Sequence, residues 1–396
     1  MRAKVLLAMT ILIILLLPQV IAEENNVNLT LEASISDTDV GIEKALTSPD
    51  YNSVLIVGAE GYVHLISAKN PGDRSLDVEL NSGRINDLND VSWHPRGEAA
   101  LIAGDLGTAL RYEKIDHGIT LVNGTGSVVG RNLTVVEWRS AGDYAYFGSE
   151  DGEIWRFSEG TGFTSIGNDA KSMITDISCQ RNYDICVVST LSDGIGVIGQ
   201  NHNLTWISGT KTNTWIGVDC ADPQLNECMA FASGLRMMPI ILNSAEHTKS
   251  SKGDIIEYPT LEGDFIGVSR GYDSTSIIHC APASTIRYNP LDDFAKLQIS
   301  SQQFVDWDAV VSSRQVVYVW ESNYNQGFLL TTNGNLVSYE PTTVEIDNTL
   351  MTSIILIAVA VSVPGVIIGL IYMNSPFLQK KYINLRRKLR KSKSSK

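Results

Sequence analysis

A repeat of about 45 residues runs through the middle of the chain and limits its fold more than any other feature. Three segments align: 45–66 (ALTSPDYNSVLIVGAEGYVHLI), 91–112 (VSWHPRGEAALIAGDLGTALRY) and 136–157 (VEWRSAGDYAYFGSEDGEIWRF). Each reads as a strand, a turn holding Pro, Gly or Asp, a strand ending near Gly, an acidic-Gly turn and a third strand. Gly61, Gly107 and Gly152 mark the second turn, spaced 46 and 45 residues apart. Fainter copies begin near Ile174, Trp215, Phe265 and Phe304, leading into apolar runs at 185–190, 229–232, 276–280 and 316–320. Seven such units predict an all-β fold, a seven-bladed β-propeller, because four strands per unit at this period is the blade signature. The strands are near-continuous apolar runs, as sheets buried on both faces require. Nothing in this region has a long 3.6-residue apolar period, so no helix is predicted there. Residues 27–35 precede the first unit and alternate apolar with polar. They are placed as the outer strand of the last blade, closing the ring and removing the exposed sheet edge.

The strand–turn–strand core resembles WD40-type propellers. The residues that carry the likeness are Val136-Glu137-Trp138 with Gly148-Ser149-Glu150-Asp151-Gly152-Glu153-Ile154-Trp155. A second set is Val91-Ser92-Trp93-His94-Pro95-Arg96-Gly97, leading to Ala103-Gly104-Asp105-Leu106-Gly107. The first three blades match well and the last four poorly. Arg111-Tyr112 and Arg156-Phe157 stand where that family has Trp-Asp, and no blade opens on Gly-His. Sialidase-like propellers and the assembly-factor propellers of photosystems have similar blade periods.

Two apolar segments flank the repeats. Arg2 and Lys4 precede an apolar run at 5–17, Pro18 and a small-residue cleavage pattern ending at Ala22. That is a signal peptide, residues 1–22, since about 13 apolar residues are too few to span a bilayer. Residues 350–373 carry no charge and would form a helix about 36 Å long, enough to cross with some tilt. Pro364-Gly365 within it predicts a kink. Residues 374–396 hold nine basic residues and no acid, which places them on the cytoplasmic side. The expected order is therefore signal peptide 1–22, extracytoplasmic propeller 23–339, stalk 340–349, transmembrane helix 350–373 and basic cytoplasmic tail 374–396. This describes a cell-membrane protein of single-pass type I topology, its N-terminal domain outside.

The overall charge of −13 hides a split. All 44 acids lie between 23 and 349 beside only 20 bases. A domain this acidic repels nucleic acid, so none is expected as a partner. The basic tail suits the anionic inner leaflet, each Lys or Arg contributing about 1 kcal/mol near that surface.

All five cysteines precede the apolar helix. Cys179 and Cys186 flank a predicted turn at 181–184, and Cys220 and Cys228 hold the equivalent place in the next blade. Opposed residues in a hairpin lie near disulfide range, so both pairs are expected to be bridged in an oxidising exterior. Cys280 is left over and is expected to be a buried free thiol. Asn28, Asn123, Asn132 and Asn203 each open an Asn-x-Ser/Thr sequon and are candidate glycosylation sites.

Catalytic signatures are missing. The six histidines show no metal-ligand spacing, and there is no nucleophile elbow, phosphate loop or dinucleotide fingerprint. No catalytic residue, metal or cofactor is assigned. Asp37, Asp39, Asp292 and Asp293 read as solvated acids, and Trp93 and Trp138 as packing between blades. The expected function is a cell-surface scaffold binding a protein or glycan. The alternatives are a glycan-directed propeller enzyme, which needs acids or arginines converging on the channel, and a surface sensor acting through the tail.

Overall fold

The second turn of each unit explains why glycine recurs there. Gly61, Gly107 and Gly152 have φ of +76°, +78° and +85°. In the first two, Glu60 and Leu106 just before are also left-handed, giving the two-residue hairpin geometry that matches strand twist. A β-carbon on Gly107 would sit 2.3 Å from the Val128 carbonyl oxygen. Gly107→Ala is therefore expected to cost about 1–3 kcal/mol, read as a lower urea midpoint at unchanged slope.

The computed structural model describes residues 27–341, apart from 37, 168, 259–260, 262, 283, 292–293, 300–303, 312–314 and 324–325, together with residues 374–393. Among them are seven antiparallel sheets of four strands or more, one per unit. Their inner strands are Ile42–Thr47, Leu88–Trp93, Leu133–Trp138, Ile174–Gln180, Trp215–Asp219, Asp264–Arg270 and Val316–Asn323, in blades one to seven. The second strands, such as Ala99–Gly104 and Ile185–Thr190, are buried along their whole length, as their apolar runs predict. Apolar clusters fill the spaces between neighbouring blades; one joins Leu101, Val136, Trp138 and Phe147 across blades two and three.

The last blade is closed by the N-terminal segment. Val27–Ser34 pairs antiparallel with Asn335–Pro341, Val27 opposite Pro341 and Ser34 opposite Asn335. This is the closing strand expected from the alternation at 27–35. The pairing extends through Glu340 and Pro341, so two residues expected in the stalk belong to the blade. The chain leaves the sheet at Pro341, at the end where the turn between inner and second strands lies.

The seventh unit departs from expectation at its start. Phe304–Val311, expected to open the last blade as a strand, is a helix, α1. Its two large buried side chains, Trp307 and Val311, are four residues apart and so share a helix face. They pack with Val27, Ile299 and Val337 under the closing blade. The inner strand begins twelve residues later at Val316. A buried spacing of four inside a short apolar-acidic run looks like alternation when only six residues are read.

The signal peptide 1–22, most of the stalk and the segment 350–373 lie outside the described residues, as do Asp37, Asp292 and Asp293. Among the described residues no helix is long and apolar enough to cross a membrane. Residues 343–396 form a unit of their own. Its described part is a basic helix, α2, Pro376–Lys393.

Candidate functional site

Every inner strand carries a bulge at the same place: 42/44, 88/90, 133/135, 174/176, 215/217, 265/267 and 316/318. A bulge re-aims the side chain that follows it. At four of the seven, that residue lines the central channel: Lys44, Asp90, Asp176 and Tyr318. The channel widens to a cavity of about 530 Å³ that reaches the turns between inner and second strands. Glu137, Asp219 and Arg270 line it further along, and Tyr51, Ser140 and Arg181 border its mouth.

The inner strand of each blade is a sheet edge, and edges expose unpaired amides. Side chains of the preceding blade occupy them. Asp90 accepts the Val136 amide at 2.7 Å, and the Ser92 hydroxyl accepts the Trp138 amide at 3.1 Å while donating to Glu137 at 2.8 Å. Two blades on, Asp176 and Ser178 receive the Val218 and Cys220 amides, each at 3.0 Å. Ser269 does the same for the Val319 amide at 3.2 Å and contacts buried His279 at 2.9 Å. Asp-x-Ser therefore joins neighbouring blades, two to three and four to five. The motif stands in two inner strands, in NDVSW and TDISC, but its purpose is visible only once the next blade is alongside.

Burial shapes the charges here. It pushes Asp90 up to about 6 against the opposing pull of Lys44, 3.8 Å away, and pushes Glu137 up to about 7. Asp176 is raised by the same cause. Burial would lower the Lys44 ammonium, but the acids Asp90, Asp176 and Glu137 outweigh it and hold it raised. Burial likewise opposes the Arg270 charge and Asp219 outweighs it, through a 2.9 Å bond to Nη2. Arg181 is lowered, chiefly by the neighbouring charge of Arg270.

Tyr51 stands at the mouth with 53% of its surface exposed and φ of +54°. A non-glycine residue held left-handed costs on the order of 1 kcal/mol and collects at functional sites. Trp93 and Trp138 pack between blades as expected, with their edges bordering the cavity.

Both expected disulfides are present, Cys179–Cys186 and Cys220–Cys228. They staple the hairpins of blades four and five on the mouth side. Losing either one, as a paired Cys→Ser change, is expected to cost about 2 kcal/mol for loops this short, measured by denaturation with and without reductant. Cys280 is a buried free thiol, pushed up to about 12 by burial. Gly61, Gly107 and Gly152 lie on the opposite face from the mouth and serve the turns. Asn28, Asn123 and Asn203 are exposed. Asn132 is half-buried and its side chain is engaged by the Leu106 amide and by Glu150. Among the described residues no group of His, Cys, Asp or Glu could hold a metal ion.

The chain matches no known sequence family and no curated protein. It is similar in structure to several solved propellers. One is YCF48 bound to D1 peptide, at TM-score 0.57 and 11% identity, covering 80% of this chain and 97% of that one. Another is the Cps50 (Swd1) β-propeller domain of Myceliophteria thermophila, at 0.59 and 9%, covering 80% and 100%. A third is the WD40 β-propeller domain of Doa1, at 0.56 and 12%, covering 78% and 96%. At such identities the likeness speaks for the fold alone: this is a seven-bladed β-propeller of the shape that WD40 domains share.

Proposed function

We propose that this protein is a membrane-anchored scaffold that binds a polypeptide partner at the mouth of its channel, outside the cytoplasm. The observation that carries the reading is the mouth itself. It combines a strained, exposed Tyr51 with the arginine Arg181 and two disulfide-stapled hairpins, on one side of a rigid ring. One structural neighbour is described as bound to a peptide, which supports this reading. A protein partner fits this mouth better than a neutral glycan, because extended backbone offers carbonyls, and its C-terminus or acidic side chains a carboxylate, to the arginines. The membrane assignment rests on the two apolar segments of the sequence and on the basic residues that follow the second.

The acids in the channel are used in joining blades, and we read the protein as a non-enzyme for that reason. Asp90 and Asp176 accept backbone amides of the next blade, and Glu137 accepts the Ser92 hydroxyl. A general acid or base needs a free carboxyl beside the reacting atom.

A photo-crosslinking residue at position 51 of the full-length chain, expressed in its own cells, tests the binding face. A discrete protein adduct is expected from position 51 and none from exposed Leu106 on the other face. Adducts from position 106 alone, or from neither, would sink the proposal. Alkaline carbonate extraction checks the anchor: the chain should stay with the membrane pellet, and its release would remove the anchor.

A further inference from the structure

We propose that the channel mouth is a receptor for a single carboxylate of the bound polypeptide, held between the guanidinium groups of Arg181 and Arg270; this rests on the reading of the mouth as a peptide-binding face. Both side chains border the same cavity. Arg270 has one end occupied: Nη2 donates to Asp219 Oδ1 at 2.9 Å and to the Cys220 carbonyl at 3.2 Å. Its Nε is buried and has no partner. A buried donor left unpaired costs about 1–3 kcal/mol, so folded proteins rarely keep one without use. Arg181 is exposed, and its guanidinium has no hydrogen-bond or ion-pair partner among the described residues. The charge that acts on it most strongly is Arg270, a like charge. The chain has 44 acids, yet these two cations stand together without enough of them. An acceptor with two oxygens placed between them would satisfy the orphan donor and relieve the repulsion at once. A planar fork facing a planar carboxylate is the geometry guanidinium groups bind best.

Charge balance favours a monoanion. Around the two arginines stand Asp219, already bonded to Arg270, and Glu137, which burial holds close to neutrality. One positive charge is in surplus. A dianion such as phosphate would bring a second negative charge toward Asp219, Asp90 and Asp176, of which Lys44 offsets one.

The site is also preorganised. Arg181 lies in the hairpin closed by Cys179–Cys186, and Arg270 is anchored on the carbonyl of Cys220, whose sulfur bridges to Cys228. The chain's two disulfides thus end at the two halves of this site. Fixing a receptor before its ligand arrives reduces the ordering cost of binding.

The test uses full-length protein in detergent and three probes: N-acetyl-trialanine with a free carboxylate, the same peptide as its C-terminal amide, and inorganic phosphate. Trp93, Trp138 and Trp320 border the cavity and report binding by fluorescence. The free acid should bind at least about tenfold more tightly than the amide, and Arg181→Ala should remove that advantage while Arg181→Lys keeps part of it. Circular dichroism of each variant checks that the ring is intact. The assignment falls if the amide binds as well as the acid, if phosphate binds more tightly, if no probe binds, or if Arg181→Ala changes nothing. Crosslinks from position 51 that persist in Arg181→Ala would leave the peptide-binding face standing and remove only the carboxylate.

Discussion

Replacing Arg287 with leucine is expected to destabilise the propeller by about 3–5 kcal/mol, because the change strands a buried carboxylate between two blades. Arg287 lies on the third strand of blade six, Ser284–Asn289. Its Nη1 donates to both carboxylate oxygens of Glu321, at 2.7 and 2.8 Å, on the inner strand of blade seven. Gln298 adds a third bond to the same carboxylate at 2.9 Å. The two charged side chains are 5% and 0% exposed. Without the arginine, the buried Glu321 carboxylate keeps the Gln298 bond but loses the two-pronged cationic partner that balances its charge. The group must then take up a proton or open the joint between blades six and seven. Glu321→Gln in the Arg287→Leu background removes that charge and should recover at least about half of the loss. Urea denaturation followed by tryptophan fluorescence checks both. A cost below about 1 kcal/mol for the single change would mean that the pair is solvated and contributes as a surface ion pair does.

The second large effect depends on pH. Burial raises Glu137 from its ordinary 4.5 to about 7, with Asp176 and Asp90 adding to it and Arg270 and Ser92 opposing. Lys44 and Arg181 also feel its charge. The folded state therefore holds this proton more tightly than the unfolded chain does. Glu137 contributes most below pH 4.5, and its contribution falls as pH rises through 7. At pH 8 the ionised group costs up to about 3 kcal/mol. Glutamine mimics the protonated form. Glu137→Gln should thus be more stable than the native chain by about 2–3 kcal/mol at about pH 8 and nearly equal to it at about pH 4.5. Comparing the two proteins at both values isolates this group from the acids elsewhere that titrate in the opposite sense, such as Asp193, which is lowered by the Lys171 amide. An equal gain at both pH values would assign the effect to packing and not to charge.

Much of the fold is legible from local residues. Gly61, Gly107 and Gly152 announce their turns because few other residues accept that backbone. Cys179 with Cys186, and Cys220 with Cys228, announce their bridges because a hairpin opposes residues at predictable places. The alternation at 27–35 marks the closing strand for the same kind of reason. The stretch that opens at Phe304 departs from this: FVDWDA reads as the start of a strand, whereas Trp307 and Val311 share a helix face. Eight residues are too few for period alone to decide, and the tie was broken by the pocket of blade-seven side chains that receives both.

The candidate site is another matter. Lys44, Asp90, Glu137, Asp176, Arg181, Asp219 and Arg270 are spread over more than two hundred residues, and no motif spacing brings them together. The repeat by itself determined that seven similar sheets would form and that a ring was the way to bury their faces. Local spacing also determined both disulfides. Only the closed ring decided that one residue from each of several inner strands would meet on the axis. Strand pattern depends on neighbours a few residues apart, whereas the channel joins side chains whose sole relation is the symmetry of the assembled blades.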